Sequence, residues 1–145
     1  MLGKMYPSWV ERTVNNTDDY VGATYTALLL KASYTFSTAH VFVSDLVPAS
    51  NELSGGSYVR IALTGLAISR TGSVTAITFS PILFPLITAT GTGAPMSMVI
   101  AKVVGSDATS PLILQQDFQT ATDVTASDLT ITPSPSGFVR YTSTP

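Results

Sequence analysis

Two adjacent glycines, Gly55-Gly56, lie directly before the alternation Tyr58-Val59-Arg60-Ile61-Ala62-Leu63-Thr64. Glycine takes φ > 0 without a Cβ clash, so the backbone turns sharply here. Val59, Ile61 and Leu63 then share one face, and Tyr58, Arg60, Ala62 and Thr64 share the other. A period of two predicts a half-buried strand leaving a tight turn. Arg60 lies on the side away from Val59 and Ile61, and the nearest carboxylate across the turn is Glu52. A Glu52–Arg60 ion pair is the expected result.

The rest of the chain repeats this pattern of short apolar runs and turn residues. Strands are predicted over 34–44, 58–65, 74–80, 96–104, 111–116, 128–132 and 138–142. About seven strands separated by turn signals predict a mainly β fold, a single antiparallel β-sandwich or barrel-like domain. Residues 80–95, punctuated by Pro81, Pro85, Gly91, Gly93 and Pro95, read as a long loop available for contact. Asp18 or Asp19 can cap one short N-terminal helix, with Tyr25, Leu28, Leu29 and Ala32 at helical spacing. Gly22, Thr24 and Thr26 argue against it, and a strand is the alternative.

Residues 1–19 show few periodic apolar positions. They read as an extended N-terminal arm, with 20–145 as the β-sandwich domain. Tyr6, Trp9 (the single tryptophan) and Val10 have no local core in this reading. Large aromatics need somewhere to dock, so a neighbouring subunit is the expected place.

A chain of 145 residues is long enough for one domain with its own core. Charged residues make up only 11% of it, against about 25% in ordinary domains. Serine and threonine fill the difference, 17 and 21 of them. Threonine is β-branched and favours strands. A thinly charged surface suits a subunit covered by neighbours better than a free monomer. Seven basic and nine acidic residues form no basic stripe, so no nucleic-acid partner is expected. Residues 71–101 carry no charge, but prolines, glycines and threonines break the stretch. Neither a membrane span nor a signal peptide is expected.

Chemistry is sparse. His40 is the only histidine and there is no cysteine, so a His-rich or thiolate metal site has no ligands. No Gly-x-Ser-x-Gly elbow or phosphate loop is present. Most carboxylates adjoin turns, where aspartate binds nearby backbone. No catalytic residue, metal or cofactor is expected.

The segment Glu52-Leu53-Ser54-Gly55-Gly56-Ser57-Tyr58-Val59-Arg60 resembles the Glu-x-Ser-Gly-Gly-Ser-Tyr-Ala-Arg segment of a group of small tailed-phage virion proteins. The likeness continues through Val74-Thr75-Ala76-Ile77-Thr78-Phe79, Phe84-Pro85, the polar turn Gly105-Ser106-Asp107-Ala108-Thr109, and Asp128-Leu129-Thr130-Ile131-Thr132. Residues 1–20 have no counterpart there, and the turn over 133–137 with the strand over 138–142 extends past the usual end. The resemblance implies a structural virion protein at the capsid surface. A decoration (cement) protein, a homotrimer bound to the major capsid protein, is the leading expectation. A tail-associated or fibre-linked protein is one alternative. A carbohydrate-binding module is another, and it needs a surface row drawn from Tyr20, Tyr25, Tyr34, Tyr58 and Tyr141.

Overall fold

The computed structural model describes residues 2–18, 20–46, 51–134, 137 and 139–142. In chain order the strands are β1 Leu2–Met5, β2 Tyr25–Lys31, β3 Ile61–Ala62, β4 Ala67–Thr71, β5 Val74–Thr78, β6 Ile82–Ala89, β7 Pro95–Lys102, β8 Leu112–Asp117, β9 Val124–Ile131 and β10 Val139–Thr142. One α-helix, α1, spans Pro7–Val14. The fold is mainly β and antiparallel, with a short N-terminal helix. A five-stranded sheet runs β1-β8-β7-β2-β3, a second runs β10-β5-β4, and β6 and β9 form a ribbon. The sheets are layered and do not close into a barrel.

The five-stranded sheet is covered on both faces. Ala27, Leu29, Met98 and Ile100 pack on one side against Ile82, Phe84 and Ile87 of β6, Ile131 of β9 and Ile77 of β5. Leu28, Leu30, Val99 and Ala101 pack on the other against Tyr34, Val43 and Leu46. A strand buried on both faces loses its polar alternation. That is why the run Ala27-Leu28-Leu29-Leu30 reads equally as a helix face, and why the helix placed there is strand β2. The Asp19 cap considered for it lies outside the described residues.

The extended arm over 1–19 is corrected. β1 pairs with β8, Lys4 opposite Gln115. The Tyr6 N–H donates to the Ile113 carbonyl at 3.0 Å, which carries that pairing one residue further. Pro7, with its preset φ and no N–H, then opens α1 in its first turn. Asn16, at φ 53°, ends it in the left-handed region. Tyr6 and Trp9 are both 0% exposed. Tyr6 joins the second core. Trp9 joins the first, where its Nε1 donates to the Tyr20 hydroxyl at 2.7 Å and the rings meet edge to face at 5.3 Å. Residues 2–14 therefore belong to the domain: the aromatics that lacked a local core find one in β8 and β7.

Three further expectations change. The strand over 34–44 is irregular, because Asp45 Oδ2 accepts the Val41 and Phe42 amides at 2.7 and 2.9 Å and removes them from any ladder. The strand over 58–65 shrinks to Ile61–Ala62. The loop over 80–95 contains β6. Pro85 is tolerated there because the register breaks between Phe84 and Ile87, where no ladder N–H is required. β4, not expected, forms a hairpin with β5 through Gly72-Ser73.

Candidate interaction surface

The Gly55-Gly56 turn takes φ of 88° and 59°. It delivers Tyr58 and Arg60 to one polar node. Tyr58 turns inward: its hydroxyl accepts the Leu29 N–H at 3.0 Å and donates to Glu52 Oε1 at 2.9 Å. A side chain thus serves an amide of β2 beside the short β3. Burial, then the Glu52 charge, push the phenol pKa well above its usual value.

Arg60 Nε and Nη2 donate to Glu52 at 2.8 and 2.6 Å, while Nη1 and Nη2 donate to Asp107 at 2.6 and 2.9 Å. Two bidentate forks enclose one guanidinium. Hydrogen bonding from Arg60 holds the Asp107 carboxyl below the usual carboxylate range. The Asp107 carbonyl also accepts the Ser44 amide at 3.0 Å. Three separate chain segments meet there. Asp107 lies 47 residues from Arg60 in sequence, so no local pattern pointed to it.

The other carboxylates have comparable structural partners. Asp18 pairs with Arg12 and Lys102, and Asp117 with Lys4. Asp123 Oδ1 accepts the Gly91 amide at 2.8 Å, and Asp128 Oδ1 accepts the Leu86 amide at 3.0 Å. His40 Nδ1 lies 3.0 Å from the Tyr34 hydroxyl. Of the tyrosines considered for a sugar-binding row, Tyr25 and Tyr34 are buried and Tyr58 is spent on the polar node. The Tyr141 side chain lies outside what is described.

Of the proposed arm contacts, only Val10 reaches the surface, at 37% exposure. The β6–β9 ribbon presents more. Its inner side chains Ile82, Phe84, Ile87 and Ala89 are buried, whereas Leu83 and Leu86 are 44% and 60% exposed. Phe84 stacks on Tyr58, centroids 6.1 Å apart, which links the ribbon to the polar node. Leu86 in β6 is held at φ 47° and Ala126 in β9 at φ 44°. A non-glycine residue in this region costs on the order of 1 kcal/mol or more. Each strained amide is pinned across the ribbon, Leu86 by Asp128 and Ala126 by Thr88 Oγ1 at 2.9 Å. The two bulges hold Leu86 outward on a ribbon whose only charged side chains, within β6, β9 and the turn before β9, are the two aspartates bound to backbone.

No family model, no curated protein and no solved structure matches this chain.

Proposed function

We propose that this protein is a structural subunit of a tailed-phage virion, a decoration protein that binds the outer surface of the major capsid lattice as a homotrimer. One observation carries the reading: the outward face of β6–β9 shows Leu83 and Leu86, with Leu86 held out by a strained bulge whose amide takes up Asp128, the one charged side chain of the two strands. Strained backbone is a reason to suspect function. A leucine presented this way is suited to fill an apolar depression on another protein. It offers nothing to phosphate or to an anionic headgroup.

The resemblance around Glu52–Arg60 supports the setting. The thin charge supports it too, since a surface so poor in charge gains from being covered. On a lattice the contact need not be strong. Symmetric subunits that each bind modestly gain avidity when they are linked. The test is to mix purified protein with decoration-free heads and measure occupancy, with immunogold labelling to locate it. Saturable labelling of heads supports the reading. Labelling confined to tails, or no binding to particles, refutes it.

A further inference from the structure

We propose that the free edge of β4 is a second interaction surface, and that its partner is β4 of a second copy of this chain, paired antiparallel with Ile68 opposite Ile68. β4 lies at the end of the β10-β5-β4 sheet, and all five of its residues are exposed. Gly72-Ser73 is a two-residue loop, so the flanking Thr71 and Val74 form a hydrogen-bonded pair. The pairing runs from there to Ala67 without a register shift. Hydrogen-bonded pairs alternate along an antiparallel ladder. Thr71, Ser69 and Ala67 therefore spend their N–H and C=O groups on β5, and Ile68 and Arg70 turn theirs outward. Among the described residues, neither backbone bonds to any other part of the chain.

The side chains mark the same edge. Val139 of β10, Ile77 of β5 and Ile68 of β4 stand in one cross-strand row. Val139 and Ile77 are buried, and Ile68 is 48% exposed. An apolar row of the core thus runs out at an open edge, and one more strand continues it. Edge strands commonly resist pairing through proline, a bulge or charge. β4 has no proline, no bulge and a single charge, Arg70. Arg70 Nε donates back to the Gly72 carbonyl of its own hairpin at 3.1 Å.

The outward groups limit the register. Three antiparallel arrangements match them to one another: Arg70 opposite Arg70, Arg70 opposite Ile68, or Ile68 opposite Ile68. The first sets like charges face to face, and the second sets them on the diagonal, about 7–8 Å apart. The third separates the two arginines by four positions, about 14 Å along the strand. It also covers both Ile68 side chains and lays each Arg70 stem against the half-buried Leu66 of the other copy. A two-fold pair of this kind occupies both edges and stops at two chains. One short strand buries little area, so the pair is weak in solution and gains from a high local concentration. The contact is separate from the β6–β9 ribbon; in a lattice of the trimers proposed above it joins one trimer to its neighbour.

The chain has no cysteine, so a single introduced one reports the register. The Cα atoms of a hydrogen-bonded pair lie about 5.5 Å apart, within the span of a disulfide. Under mild oxidation at equal concentration, Ile68→Cys should form disulfide-linked pairs of chains about tenfold faster than Arg70→Cys. In NMR spectra of the unmodified full chain, the Ile68 and Arg70 backbone amide signals should shift on dilution while that of Ile77 stays still. Ile68→Lys, which sets two charges opposite each other, should abolish the Arg70 shift. Equal linking rates, or faster linking through Arg70→Cys, overturn the register and the proposal with it. Ile68 and Arg70 signals that stay still on dilution of the unmodified protein overturn self-pairing whether or not any variant folds, and leave the edge to a different chain. Both experiments use the purified protein alone, so their failure is distinct from a failure to bind heads.

Discussion

Arg60 meets Glu52 through two parallel hydrogen bonds, Nε to Oε1 at 2.8 Å and Nη2 to Oε2 at 2.6 Å, across the turn at Gly55-Gly56. The same guanidinium grips Asp107 with its remaining edge. The side chains of Glu52 and Asp107 are 17% and 45% exposed, so water screens the second pair more. Double-mutant cycles should give a coupling of about 1 kcal/mol for Arg60–Glu52 and about half of that or less for Arg60–Asp107. Equal couplings, or none, would contradict the geometry.

The turn itself is a separate prediction. A Cβ at Gly55 or Gly56 meets no atom within 4 Å, so any penalty comes from the positive φ alone. Gly55→Val and Gly56→Val should each destabilise the fold by about 1–3 kcal/mol. Thermal melts that match the parent would show that the turn tolerates a side chain.

The N-terminus is part of the domain, so its removal should be severe. Trp9→Ala should cost about 3–5 kcal/mol, the range for emptying a buried aromatic site. Deleting residues 2–14 strips β1 from β8 and should abolish cooperative unfolding by circular dichroism. A truncated protein that melts like the parent would restore the idea of a separable arm.

Acid sensitivity follows from Asp45 and Asp107, whose carboxyls both lie below the usual range. For Asp45 the cause is hydrogen bonding from the Phe42 and then the Val41 amide, and for Asp107 it is Arg60. A depressed carboxyl contributes stability above its unfolded value, near pH 3.9, and loses it as pH falls through the lower folded value. The melting temperature should therefore drop from about pH 4 downward. Asp45→Asn and Asp107→Asn should flatten that drop, and a parallel profile in either variant would remove its carboxylate from the account.

These tests also mark what could be read in the sequence. β5, β7 and β8 appear near their expected positions, because each is a short apolar run bounded by turn residues. Glu52 and Arg60 were accessible for the same local reason, eight residues apart across one turn. β2 was ambiguous because both of its faces are buried. β6 was hidden by Pro85, which marks a break in register and not the end of a strand. The short N-terminal helix was expected too late in the chain, because α1 is only eight residues long and buries a single side chain, Trp9. Asp107 was out of reach, since its meeting with Arg60 depends on how β7 and β8 return the chain past β3.

The central claim concerns Leu86. Leu86→Asp places a charge on an exposed side chain and leaves the Asp128 hydrogen bond to its backbone intact, so stability should change by less than about 1 kcal/mol. A buried apolar anchor replaced by a charge typically costs an interface 2 kcal/mol or more. The decisive measurement is the occupancy of decoration-free heads by the parent and by Leu86→Asp at matched concentrations, with melts recorded in parallel. The account predicts saturable binding by the parent and at least a tenfold loss of affinity for a folded Leu86→Asp variant. Unchanged occupancy by that variant would contradict the ribbon as the contact face, and no occupancy by the parent would contradict the decoration reading itself.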